Sequence, residues 1–315
     1  MISRRLLRVK ILQILYAKHN TQNKSLDQYE KELFFSINKT YDLYHYFLQL
    51  LIELAKHAEY RIEAAKEKLR PTYEDLHPNK RFIENSIIQQ LKKNLHFCKY
   101  ISENKISWNN YPELIKNLHQ KIKNQDYYNQ FIISPGNSYK KDKELVLSIL
   151  EKEFSSSESL YNTLEEINIF WNDDVDFVLS MVIKTIKGFN EKDKKEKLLM
   201  PLFKNEDDKE YVKKLFRKTI LNQDEYNKLI KKHTQNWEFE RIAIMDILIM
   251  QMALAEVIEF PSIPVKVSLN EYIEIAKDYS TVHSNTFING ILDNIIQTLK
   301  KENKIIKTGR GLIEN

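Results

Sequence analysis

Arg4, Arg5, Arg8 and Lys10 stand close together near the start of the chain. With Lys18 and Lys24 they come before any acid, the first of which is Asp27. Cations grouped in this way can grip phosphates, with an affinity that falls as salt rises. Two plainer readings stay open: a solvated charged face, or a surface helix leaning on anionic lipid. The pair Asp173-Asp174 after Asn172 is the other group whose types could do chemistry, as metal ligands or as an acid–base pair. No histidine or third carboxylate lies at a ligand spacing from it, so a helix N-cap with acids in the first turn is the better reading. The single Cys98 excludes an internal disulfide framework and a cysteine-based metal site. The eight histidines are scattered, with no pair at metal-ligand spacing. No glycine-rich phosphate loop of either common type occurs. No metal, no cofactor and no enzymatic chemistry are expected.

The elements that must position these residues are helices. Five glycines and seven prolines in 315 residues are very few, strong helix formers abound, and no alternating strand run occurs. The chain therefore reads as all-α. Leu7, Ile11, Ile14 and Leu15 form an apolar stripe at helical spacing with Leu6 beside it, and Arg4, Arg5, Arg8 and Lys10 are expected to point away from it. A short helix is expected over Ser25 to Ser36, then a long one from Thr40 to about Leu69. Its stripe is Leu43, Tyr46, Phe47, Leu50, Leu51, Leu54, Ala58 and Ile62. Further helices follow around Ile87, Leu118 and Leu145 to Phe154, and one is predicted from Val175 to Lys187. Two more, carrying Tyr211, Leu215, Tyr226 and Ile230, lead to Trp237. The net charge of +5 is modest, so its distribution matters more than its sum. The N-terminus opens with charge instead of an apolar signal core, no apolar run is long enough to span a bilayer, and a cytoplasmic location without membrane contact is expected.

From Trp237 to Ile258 the chain is apolar on nearly every side, which marks a buried helix. Arg241, Asp246, Gln251 and Glu256 recur through it, and each acid at mid-bilayer would cost roughly 2.5–3.5 kcal/mol, so a membrane span fails. The segment is predicted to be the central helix of a bundle. Phe260-Pro261-Ser262-Ile263-Pro264 ends it. Ser268-Leu269-Asn270-Glu271 has the form of a capping box opening the next helix, which runs to about Lys277. After the polar turn 278–283, Ser284 is a candidate cap for the last helix. Its stripe is Phe287, Ile288, Ile291, Leu292, Ile295, Ile296 and Leu299. Gly290 inside the stripe costs about 1 kcal/mol relative to Ala, and close approach of another backbone is the expected compensation.

These residues carry a resemblance. Trp237 and Arg241, Asp246 and Glu256, Pro261 and Pro264, Asn270-Glu271 through Ala276-Lys277, and Phe287-Ile288-Asn289-Gly290-Ile291-Leu292-Asp293 follow one another in the order and spacing of the C-terminal half of the NusB family. The front of the chain is similar too. Arg4-Arg5, Arg8, Gln13 and Leu15-Tyr16 match in register the arginine-rich helix that opens those proteins, with Val9 where the family usually has an acid. The resemblance covers about residues 3–20 and 205–299. Residues of about 60–200 read as an added helical region in a chain about twice the usual length. The expectation is an all-helical bundle of NusB type with a large helical insertion in the middle, residues 1–303 forming one body and 304–315 a flexible tail. The absence of a Gly/Ser-rich linker favours one body, while a second lobe stays open.

The resemblance implies a transcription antitermination factor. Such a protein binds the boxA element of ribosomal RNA leader transcripts together with the small-subunit ribosomal protein that acts as NusE. It rides with the RNA polymerase elongation complex and other Nus factors. The implied RNA-binding residues are Arg4, Arg5, Arg8, Lys10 and Gln13, and in the second contact area His283, Ser284, Phe287 and Asn289. From periodicity alone Phe287 is a core residue, and Asn289 reads equally well as a base contact or a helix cap. Tyr16 falls at the protein-partner surface or in the core. An rRNA cytosine methyltransferase with a NusB-like front would need a glycine-looped cofactor domain and a reactive cysteine, neither of which the sequence offers. A helical scaffold that binds only proteins is the alternative, with Tyr41, Tyr44, Tyr46, Trp108, Tyr127, Tyr128 and Trp171 as a surface. Aromatics at helical spacing are more often core.

Overall fold

The computed structural model describes residues 2–21, 24–234 and 239–313. Among them fifteen α-helices form and no strand. The chain is all-α, as its composition requires. It divides into two compact units, one of Asn38–Leu202 and one of Ile2–Ile37 with Phe203–Asn315. In chain order the helices are α1 (Arg4–Thr21), α2 (Leu26–Lys66), α3 (Tyr73–Leu76), α4 (Ser86–Lys92), α5 (Leu95–Glu103), α6 (Pro112–Lys123), α7 (Asp126–Ile133), α8 (Tyr139–Ser148), α9 (Glu158–Ile167), α10 (Val175–Lys187), α11 (Glu206–Leu221), α12 (Gln223–His233), α13 (Ile244–Glu259), α14 (Val265–Tyr279) and α15 (Ser284–Lys301).

In the unit of residues 38–202, α2 supplies the spine. Leu43, Phe47, Leu50, Leu51, Leu54 and Ala58 are buried with Leu145, Phe154, Val178 and Val182. The two tryptophans of this unit are nearly solvent-free, and each satisfies its indole N–H on a carbonyl of α2: Trp108 on Tyr46 O at 3.0 Å and Trp171 on Lys39 O at 2.7 Å. Tyr44 and Tyr128 are buried and Tyr41, Tyr46 and Tyr127 partly so, so these aromatics serve the core. The break expected between Ser36 and Thr40 does not occur. Ile37-Asn38-Lys39 holds neither proline nor glycine, and nothing in it stops a helix.

In the other unit α13 is the axis. It packs against α14, α11, α1, α12 and α15. Every residue from Asp246 to Val257 is buried, which is why the segment is apolar all round. Trp237 lies outside the described residues. α11 opens at Asn205, whose side chain accepts from the Asp208 amide, with three acids in the first turn. The capping box expected at Ser268 does not form. α14 starts one turn earlier, directly after Pro264, and the Ser268 amide already donates to Pro264 O. The serine and glutamate of that motif are drawn to tertiary partners instead. Gly290 also departs from expectation: it is exposed, and a Cβ there would meet open space.

Residues 304–313 run back along the end of α13. Lys307 Nζ donates to Val257 O at 2.8 Å and Phe260 O at 3.0 Å, satisfying carbonyls that a helix end leaves open. The Thr308 amide donates to Pro261 O, and a Cβ on Gly311 would fall 1.8 Å from that oxygen, so only glycine fits this approach. Half-burial pushes the Lys307 ammonium down to about 8.

Candidate nucleic-acid interface

α1 carries the basic residues singled out in the sequence, and the bundle sorts them into two kinds. Arg4 and Arg5, on its first turn, are exposed. Arg4 Nε pairs with Asp208 at 2.9 Å and its guanidinium lies over the Tyr211 ring. Arg5 makes a two-pronged pair with Glu271, at 3.0 and 2.9 Å. Arg8 and Lys10 do not share that side, contrary to the expected amphipathic face: they are 3% and 0% exposed. The reason is that α1 packs against both α11 and α13, so residues 6–12 of it are all buried.

Arg8 reaches Glu256 of α13 through two parallel bonds, Nε to Oε2 at 2.8 Å and Nη2 to Oε1 at 2.7 Å. The same carboxylate accepts from the hydroxyls of Tyr211, Ser268 and Tyr272. The Arg8 guanidinium lies between the Tyr211 and Tyr272 rings, 5.6 and 5.7 Å from their centroids. Burial alone would raise the Glu256 carboxyl, but the bonds from Arg8, then Tyr211 and Ser268, hold it below its ordinary value. Burial likewise works against the Arg8 charge, and the hydrogen bonds to Glu256 outweigh it. Arg8 Nη1 also lies 3.3 Å from Glu271. Glu256, Arg8, Glu271 and Arg5 thus form a line of alternating charges from the core to the surface.

The second expected contact area is the turn between α14 and α15. Asp246, in the first turn of α13, accepts from Ser280 and from Ser284 Oγ, the latter at 2.9 Å. Ser284 Oγ also faces Thr281 Oγ1 at 2.7 Å and accepts from the Thr281 amide. Ser284 is therefore buried and builds the turn, and His283, exposed, is the N-cap residue of α15. Phe287 and Asn289, four and six residues past His283, are half-buried. From Glu271, which holds Arg5, to Ser280 the rise along α14 is about 14 Å. Gln13 is half-buried and Tyr16, at 40%, is exposed. Sequence reasoning missed Tyr211, Ser268, Glu271 and Tyr272 as builders of this region. The available signal was the pair of acids, Asp246 and Glu256, inside an otherwise apolar helix, which had to meet partners if buried.

Among the described residues no group of three or more His, Cys, Asp or Glu side chains could hold a metal ion, and no helix is long and apolar enough to cross a membrane. The NusB family model matches residues 175–297. The "Transcription antitermination protein NusB" of Salinibacter ruber is 43% identical over 114 residues, which cover 36% of this chain and 71% of that protein. The chain belongs to the NusB family. Proteins of the same printed name from Chloroherpeton thalassium and Desulfatibacillum aliphaticivorans are 42% and 41% identical over 106 and 98 residues. These cover 34% and 31% of this chain, and 50% and 68% of the two relatives. No solved structure matches. The family match takes in α10 to α14 and most of α15, while α3 to α9 lie outside it and extend the family fold.

Proposed function

We propose that this chain is a transcription antitermination factor that binds boxA RNA of ribosomal RNA leader transcripts. It acts with the small-subunit ribosomal protein that serves as NusE and with the RNA polymerase elongation complex and its other Nus factors, in the cytoplasm. Its work is recognition, without catalysis. The observation that carries this reading is the 43% identity to a protein named for transcription antitermination, extending over 71% of that relative.

In this reading Arg4 and Arg5 supply phosphate affinity by exchanging Asp208 and Glu271 for phosphate oxygens. His283, Phe287, Asn289 and Gln13 meet unstacked bases, for which ring faces and amide edges are the usual protein partners. Arg8, Lys10 and Ser284 act from inside, as positioning residues: Arg8 sets Glu271, and through it Arg5, while Ser284 shapes the turn that presents His283. Tyr16 is placed at the protein-partner surface. The test is Arg4→Ala with Arg5→Ala in a boxA-binding titration over a salt series. The folded variant is expected to bind more weakly and to lose about 0.7 units of salt slope for each phosphate contact removed. Unchanged affinity and slope would refute the assignment of this helix end. Binding of the ribosomal protein with no preference for boxA over scrambled RNA would make the chain a protein scaffold instead.

A further inference from the structure

The unit of residues 38–202 contains a cavity of about 670 Å³ between α2, α6 and α7, within the usual range for small-molecule sites. Two helices carry basic groups beside it in the same pattern, and of these Arg61, His119 and Lys123 line it. His57 and Arg61 lie four residues apart on α2, and His119 and Lys123 four apart on α6, so each pair shares one helix face. The His57 and His119 rings meet at 5.2 Å. Arg61 and Lys123 line the cavity, and neither has a carboxylate or hydrogen-bond partner among the described residues. His119 is 6% exposed, and its Nε2 is buried without a hydrogen bond among the described residues. An orphan of this kind is costly unless something absent from the protein alone completes it.

The acids of the lining do not balance these cations. Asp75 is taken by Lys68 at 2.8 Å and by the Thr72 cap, leaving Glu74 as the acid of the lining without a basic partner among the described residues. The wall next to His119 is apolar and aromatic, with Phe82 stacked on the His119 ring at 6.1 Å. Phe82 and Tyr128 meet edge to face at 5.6 Å beside Ile83, Ala58 and Ile132, and the Tyr128 hydroxyl makes no hydrogen bond among the described residues. Burial, and then His57, Lys123 and Arg61, push the His119 imidazole down to about 4. It is therefore neutral near pH 7 and can donate one N–H.

The geometry points to a binding site for a phosphate-bearing ligand of nucleotide size in this cavity, with Arg61, Lys123 and His119 on the phosphate and the Phe82–Tyr128 wall on the apolar body. Arg61 and Lys123 neutralise the dianion, and His119 Nε2 gains its missing partner. A phosphate monoester carrying a flat ring system satisfies both halves of the cleft.

The test is a calorimetric titration of the full chain with AMP, UMP and inorganic phosphate, repeated on Arg61→Ala and Lys123→Ala. Both residues are exposed, so both variants should keep the wild-type circular dichroism spectrum and melting point. Saturable nucleotide binding, weakened on the order of tenfold by either change, is expected. The His119 imidazole nitrogen resonance should shift on addition of nucleotide. Inorganic phosphate should bind more weakly than either nucleotide, and equal affinity would overturn the role given to the aromatic wall. No saturable binding, or binding untouched by both variants, would overturn the site.

Discussion

Arg8 and Glu256, 248 residues apart in sequence, form a fork-to-fork ion pair at 2.8 and 2.7 Å in the interior of the bundle, and three hydroxyls complete the carboxylate. A buried pair of this kind is not by itself a large source of stability, but removing one partner strands the other. Glu256→Gln should therefore destabilise the protein by about 3–5 kcal/mol. Arg8→Lys should also destabilise it, because an ammonium cannot make the two parallel bonds. Urea melts with matched slopes would measure both, and losses below about 1 kcal/mol would show that the pair is dispensable.

Asp246 holds Ser280 and Ser284, and with them the turn that carries His283. Asp246→Ala leaves both hydroxyls without their acceptor, at a cost of about 1–3 kcal/mol. The amides of residues 280–284 should exchange faster, and boxA affinity should fall more than the global stability loss explains. Hydrogen exchange that stays at the wild-type rate in this turn would contradict the anchoring role.

Gly290 sits mid-helix with open space where its Cβ would be. Gly290→Ala should raise stability by about 0.5–1 kcal/mol through helix propensity and a less free unfolded chain. A thermal melt decides it, and a lowered midpoint would mean that the position is closely packed after all.

His45 is buried on α2, stacked on Tyr100 at 3.9 Å, and burial pushes its imidazole down to about 4; His119 is likewise held at about 4. Below pH 6.5 the unfolded chain takes up protons that the folded chain refuses. Stability is thus intact above pH 6.5 and is lost as pH falls toward 4. The two histidines together should account for several kcal/mol of that loss, up to about 3 each. His45→Gln should flatten the fall between pH 6.5 and 4 in urea melts, and an unaltered slope would exclude His45 as its source.

Helix existence was legible wherever the apolar period was long and bounded by polar turn residues. α10 runs from Val175 to Lys187, the limits that the periodicity set, although the cap expected from Asn172-Asp173-Asp174 does not form: Asp174, at the N-cap position, makes no side-chain cap and accepts from Thr40 Oγ1 at 2.6 Å instead. α13 was legible as the axis from its all-round apolarity. What the pattern could not show was who meets whom. Glu271 looked like the end of a capping box because Ser-x-x-Glu is a local motif, yet Ser268 serves Glu256 and Glu271 serves Arg5 and Arg8. Arg8 and Lys10 looked exposed because charge is usually solvated, and only a carboxylate from α13 makes the Arg8 burial affordable. The docking of Lys307 and Gly311 rests on carbonyls and close approach, which leave no periodic trace.

The central claim is recognition of boxA RNA with a ribosomal partner. It is tested most directly by binding of the purified full chain to a boxA-containing RNA, with and without the NusE-type protein, across a salt series. The account predicts partner-enhanced binding that prefers boxA over a scrambled RNA and weakens steeply with salt. Partner binding without any preference for boxA would contradict it.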